Sequence, residues 1–353
     1  METGTRSWLS GESESPADVA VTGSRVALLV LTVGFLGASL SGLRVSMRAQ
    51  LLAYLVGMVA LNLPHGGYEH LANLRRRVNE FRLRYVAGYL LLLFAYLGLF
   101  AVAPVVGLAL ALAVACVKGG GGDLHAMAVT TGDDHLRTLP QRLLAVAARG
   151  GAVMAVPIVA SPATFRTFSA IIVGLFDPGA LAASGVPLGT TRVLVGGGYG
   201  ALVAAHLGVG FLRRQGTGSL LADAAETLLL IAYFAVVPVV VAVGLYFPLW
   251  YSLRQVAREL TVEPAPATDG ADLLAAETTA SVALRAWGLL VVGALSIGGV
   301  AAALWLVAPN PLGTAPLLYG AVAFWSVLIS IVAFPHVVVG SALDRGRGIW
   351  HVP

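Results

Sequence analysis

The chain has 353 residues, 58% of them hydrophobic and 11% charged, with a net charge of +4 and one cysteine. A soluble domain carries about 25% charged residues, so these values exclude an ordinary water-soluble fold and point to apolar runs solvated by lipid. The basic residues sit at the ends of apolar runs, where Arg can snorkel to the interface, and give no basis for nucleic-acid binding. A lone Cys116 forms neither an intramolecular disulfide nor a Cys-based zinc site, and within its apolar run it reads as a small hydrophobe.

In chain order, residues 1–24 are polar, acidic and rich in Ser and Thr, without the basic start of a signal peptide, and read as a disordered tail. Residues 25–345 form one membrane domain and 346–353 a C-terminal tail. The apolar runs are 26–43, 51–63, 85–102, 104–117, 143–160, 193–211, 224–253, 286–307 and 317–339. Backbone groups in lipid must be satisfied within their own segment, and the runs lack the alternation of barrel strands. The fold class is therefore all-α: a polytopic integral membrane protein with about 8–10 transmembrane helices around a central intramembrane pocket. Residues 165–183 are apolar but interrupted by Asp177 and Pro178, as in a re-entrant or interfacial segment. The loop bearing Arg75, Arg76, Arg77, Arg82 and Arg84 is placed in the cytoplasm by its positive charge. Residues 261–280, with Pro264, Pro266 and Gly270, read as a loop.

Ionisable residues at membrane depth are costly and mark candidate sites. The first is Pro64-His65-Gly66-Gly67-Tyr68-Glu69-His70, where imidazoles and a carboxylate follow a helix break, the donor types that suit non-haem iron. As an alternative, it is an interfacial loop whose histidines only hydrogen-bond. The second is Lys118 to His125, with Gly119 to Gly122 and Asp123 between them. Its glycines allow close backbone approach to a ligand or to another helix, and Lys118 is either a site residue or a snorkelling interface residue. The order is wrong for a phosphate loop, because the Lys precedes the glycines. The third is Tyr246 to Gln255, including Phe247, Trp250, Tyr251 and Arg254; Tyr251 and Gln255 share a helix face, unless this is simply an aromatic belt at a helix end. The fourth is Pro335-His336. His206 reads as a hydrogen-bonded packing residue, and His135, beside Asp133 and Asp134, as a solvated loop residue.

Together these segments resemble the Brp/Blh family of membrane-bound β-carotene 15,15'-dioxygenases. The family's Pro-His-Gly-x-x-Asp-His stretch is similar to 64–70, its His-aromatic-Gly-x-x-Asp segment to 118–123, and its Arg-Gly-Gly turn to Arg149-Gly150-Gly151. Its Tyr-Phe-x-x-Trp-His-Ser-x-Arg-His element runs in frame with 246–255, and its late Pro-His with 335–336, so the resemblance covers about residues 50 to 345. It implies central cleavage of β-carotene by O₂ to two retinals at histidine-held Fe(II), the cofactor if the chain is catalytic. It also implies a lipophilic carotenoid or retinal as ligand, the lipid bilayer as surroundings, and a rhodopsin apoprotein as a possible partner. The expected place is the cell membrane of a prokaryote, multi-pass. The implied iron ligands are His65, His70 and His336, with Asp123 as a ligand or a group orienting one; Gly66, Glu69, Gly119, His125, Phe247, Trp250 and Arg254 would surround the substrate. The chain departs from the pattern at Lys118, Tyr251 and Gln255, where the family has histidine. Two readings follow: a divergent carotenoid-cleaving dioxygenase, or a non-catalytic relative that binds or carries carotenoid or retinal. A further membrane class, transport, lacks a visible repeat of broken helices. In the binding reading, a desolvated Lys118 amine has the chemistry to form a Schiff base with retinal.

For the third segment to join the first two on one membrane side, either 165–183 inserts as a helix or the run 224–253 folds back on itself; insertion is the expectation.

Overall fold

The computed structural model describes residues 15–61, 83–185, 188–261, 291, 295–312 and 316–343. Among them every regular element is helical. In chain order they are α1 (Pro16–Leu40), α2 (Met47–Leu55), α3 (Leu83–Val102), α4 (Pro104–Thr130), α5 (Leu139–Ala160), α6 (Pro162–Val173), α7 (Ala180–Ala183), α8 (Leu188–Arg213) and α9 (Gly218–Val236). The helix α10 runs from Val239–Tyr246 through a π-helical turn, Phe247–Ser252, into Leu253–Thr261. Two more follow, α11 (Leu295–Val307) and α12 (Leu317–Leu343).

Seven of these helices are long and apolar enough to cross a bilayer, and Met47–Val59, Ala87–Val102 and Leu295–Val307 are shorter apolar helices. The long helices leave apolar side chains outside: Val30 and Val33 on α1, Val193 and Leu194 on α8, and Leu306 on α11 are all exposed. In water such surface would be a liability; in lipid it is the expected outer face. The chain is a polytopic α-helical membrane protein.

The structure departs from the sequence reading in four places. Helix α1 begins at Pro16, inside the segment read as a tail: Ser15 caps it, its hydroxyl oxygen accepting from the Asp18 N–H at 3.2 Å, and proline occupies the first turn. The run 224–253 is two helices, broken where Val237 is extended ahead of Pro238. They fold back on each other: the Tyr233 hydroxyl donates to the Ala242 carbonyl at 3.0 Å, and the Phe234 and Tyr246 rings lie 5.4 Å apart. Residues 165–183 do not insert as a spanning helix. The 12 residues of α6 extend about 18 Å, short of the roughly 30 Å hydrocarbon core. Finally, the Arg149-Gly150-Gly151 segment, read as a turn, lies inside α5, and α4 continues from the run 104–117 through the glycines.

The reason is helix packing. A Cβ on Gly120 would fall 2.0 Å from the Val146 carbonyl oxygen, and one on Gly150 would fall 1.9 Å from that of Cys116. The two backbones touch, and that packing outweighs the roughly 1 kcal/mol that each glycine costs a helix. Similarly, a Cβ on Gly57 would meet the Gly244 carbonyl oxygen at 2.2 Å, holding the π-helical turn Val56–Leu61 against α10. Pro248 cannot donate to that same carbonyl, which accounts for the second π-helical turn beginning beside it.

Candidate functional site

An apolar cavity of about 200 Å³ lies between α2, α4, α5, α6, α10 and α12. Its wall is mostly aliphatic and aromatic, including Val240, Val243, Phe165 and Ile329, with Lys118 and Tyr251 facing it. The Lys118 ammonium stands 5.1 Å from the centre of the Tyr251 ring, and the rings of Phe247 and Tyr251 are 6.1 Å apart. Few other polar groups reach it. The Ser326 hydroxyl donates to the Val322 carbonyl at 2.7 Å, which leaves its oxygen to accept from the Tyr54 hydroxyl at 2.6 Å.

Next to this cavity is a region of opposite character. Arg149, at the middle of α5, is fully buried; its Nε donates to Asp123 of α4 and its Nη1 to Asp223 of α9, each at 2.6 Å, and its Nη2 to Glu226. Arg254 of α10 is also fully buried: its Nε stands 2.5 Å from the second oxygen of Asp123, and its Nη atoms donate to Glu226 at 3.0 and 2.6 Å. Arg25 of α1 reaches Glu226 at 2.7 Å. Three guanidinium groups therefore meet three carboxylates, and the cluster is neutral as a whole. The Trp250 ring covers the Arg254 guanidinium, 4.2 Å from the ring centre. His135 is not solvated but fully buried, its Nδ1 2.9 Å from the Ser219 hydroxyl and its Nε2 2.9 Å from Asp223. His206 Nε2 stands 2.9 Å from the same Asp223 oxygen.

The sequence-predicted residues divide between these regions. Lys118, Tyr251 and Phe247 line the cavity. Asp123, Trp250 and Arg254 belong to the charged cluster, with both Asp123 oxygens held by guanidinium groups. Gln255 is buried, against α4: a Cβ on Gly122 would fall 2.4 Å from its Nε2 and 2.8 Å from Tyr251 Cε2. Gly119 packs under the Tyr246 hydroxyl, and His125 is half-buried further along α4. His336 is half-buried on α12, three residues beyond the cavity-lining Ala333. His65, Gly66, Glu69 and His70 lie outside the described residues.

Among the described residues no group of three or more His, Cys, Asp or Glu could hold a metal ion. The donor chemistry agrees: where the resemblance calls for imidazoles, an ammonium faces a phenol ring. A ferrous ion wants neutral imidazole or carboxylate donors, and a cation beside it is repulsive. The described residues by themselves therefore do not form an iron site.

The sequence reading passed over the charged cluster. Its signal was available: Arg149 and Glu226 stand inside apolar runs and Asp223 at the edge of one, so opposite charges in lipid had to find each other.

A family model described as β-carotene 15,15'-dioxygenase matches residues 56–344. Over 352 residues, 98% of each chain, the sequence is 53% identical to the probable β-carotene 15,15'-dioxygenase Brp of Halobacterium salinarum. Over 327 residues it is 32% identical to the probable β-carotene 15,15'-dioxygenase Blh of the same organism, covering 88% of this chain and 89% of that one. No solved structure matches the chain.

Proposed function

Because the chain belongs to the β-carotene 15,15'-dioxygenase family, we propose that its intramembrane cavity binds a carotenoid or retinal and that the protein carries this ligand in the cell membrane of a prokaryote. The observation that carries the reading is the cavity's lining, apolar save for Lys118 and a few hydroxyl-bearing side chains, set between membrane helices. A polyene dissolved in lipid gains little from polar contacts and needs a shaped, dry slot with few oriented groups. On this reading the replacements Lys118, Tyr251 and Gln255 trade metal donors for groups suited to holding a conjugated ligand. An apoprotein that takes up retinal, such as a rhodopsin, is the partner expected to receive it.

A second reading, oxidative cleavage of the central double bond, is favoured by the 53% identity over nearly the whole chain to a relative that carries that name. It requires His65 and His70 to hold Fe(II), with His336 or Asp123 completing the set, since the described residues by themselves form no such group.

Expression in a β-carotene-producing host separates the two. Carrying predicts orange cells, carotenoid that co-purifies with the protein, and no retinal. Cleavage predicts bleached cells, retinal, and about one iron per chain as the facial-triad chemistry requires. Well-expressed protein that neither retains pigment nor makes retinal defeats both readings. Filling the cavity with Ala115→Phe should abolish co-purified pigment, because Ala115 lines it.

A further inference from the structure

We propose that Lys118 captures a polyene aldehyde as a reversible imine inside the cavity. The identity of the aldehyde as retinal rests on the reading above; the capture chemistry rests on the site itself. Lys118 is the only lysine in the chain, and it stands in the wall of an apolar cavity half-way along a membrane helix rather than at an exposed end. Its ammonium faces the Tyr251 ring at 5.1 Å. A snorkelling lysine would direct its charge toward the membrane surface; this one is directed inward, against an aromatic face.

The reaction balances without an added oxidant or reductant. In its neutral form the Lys118 Nζ lone pair adds to the aldehyde carbon, forming the C–N bond as the carbonyl π electrons move to oxygen. Nitrogen gives up its two protons, the oxygen leaves as water, and a C=N bond remains. Water reverses the same steps. Protonation of the imine restores a positive charge at the position where the ammonium stood. The Tyr251 face that attracts the ammonium therefore attracts the iminium as well. Val240, Val243, Phe247 and Ile329 line the cavity and offer the polyene an apolar wall. Capture would keep the aldehyde from escaping into the bilayer until it is released by hydrolysis or passed to another amine.

The test uses purified full-length protein and all-trans-retinal added directly, so it needs no cleavage activity. Reduction with borohydride followed by peptide mass spectrometry should place a retinyl group on Lys118. Before reduction, acidification should shift the retinal absorbance to the red, as a protonated imine requires. The variant Lys118→Arg keeps a cation over Tyr251 and should lose the label; its thermal midpoint checks that it is folded. Mapping the label in the unaltered protein decides the matter even if the variant fails to fold. A label confined to the N-terminal amine, or no label when retinal quenches tryptophan fluorescence and so is bound, overturns imine capture while leaving the carrier reading intact. No binding of retinal or carotenoid at all overturns both.

Discussion

The charged cluster and the apolar cavity share their helices but obey opposite rules. Helix α4 gives Lys118 to the cavity and Asp123 to the cluster; α10 gives Phe247 and Tyr251 to the first and Arg254 to the second. In the cluster, charges from α4, α5, α9 and α10 are matched one against another and sealed from solvent, and the partly exposed Arg25 of α1 closes its edge. In the cavity, polar groups are few and the wall is built from aliphatic and aromatic carbon. The difference teaches a division of labour. Ion pairing in a low-dielectric interior tolerates little displacement, so the cluster fixes how α4 and α10 stand against each other. That fixed register sets the cavity wall, leaving its side chains to suit a ligand rather than the fold.

The strongest way to break this comparison is to remove one cation. Arg149→Met leaves Asp123, Asp223 and Glu226 each short of a donor, and breaking a buried pair on one side costs about 3–5 kcal/mol. The expected outcome is a large fall in the thermal midpoint of the detergent-solubilised protein. Unchanged stability combined with lost pigment binding would mean that the cluster serves the ligand directly, and the division would fail.

A smaller effect is expected at the contact between α4 and α5. Gly150→Ala places a methyl 1.9 Å from the Cys116 carbonyl oxygen, and such overpacking costs about 1–3 kcal/mol. Gly198→Ala on α8 is the control: nothing lies within 4 Å of its Cβ, and replacing a helix glycine with alanine there should stabilise by roughly 0.5–1 kcal/mol. Paired thermal melts read both signs.

The comparison also explains what was legible beforehand. Apolar runs of bilayer length located the helices, because lipid leaves the backbone no other option. The family resemblance rested on ordered local motifs, and the match over residues 56–344 bears it out. Lys118 and Tyr251 were singled out as positions where histidine is absent, and they share one cavity wall. Helix punctuation was read less well. Arg-Gly-Gly looks like a turn in one dimension and is a contact surface in three, while the glycine run, read as allowing close approach to a ligand or to another helix, takes the second course where Gly120 lies against α5. Pro238 was one proline among several, yet it divides a run that hydropathy alone joins. His135 was misread because its neighbours Asp133 and Asp134 suggested water, whereas its ring partners Ser219 and Asp223 lie more than eighty residues away. Pairing across such distances leaves no local trace.

The gentlest change sharpens the comparison from the cavity side. Ser326 accepts a hydrogen bond from Tyr54 at 2.6 Å where α2 and α12 meet at the cavity wall. Ser326→Ala removes that acceptor from a neutral pair, which costs about 0.5–1.5 kcal/mol. The Tyr54 hydroxyl, unlike the carboxylates of the cluster, carries no charge that must be neutralised. A small drop in thermal midpoint is therefore expected, with pigment retention kept because the wall becomes more apolar. If instead this substitution destabilises the protein as much as Arg149→Met does, polar groups at the cavity are as structural as those in the cluster. The two regions would then have to be understood as one continuous network running through α2, α4, α10 and α12.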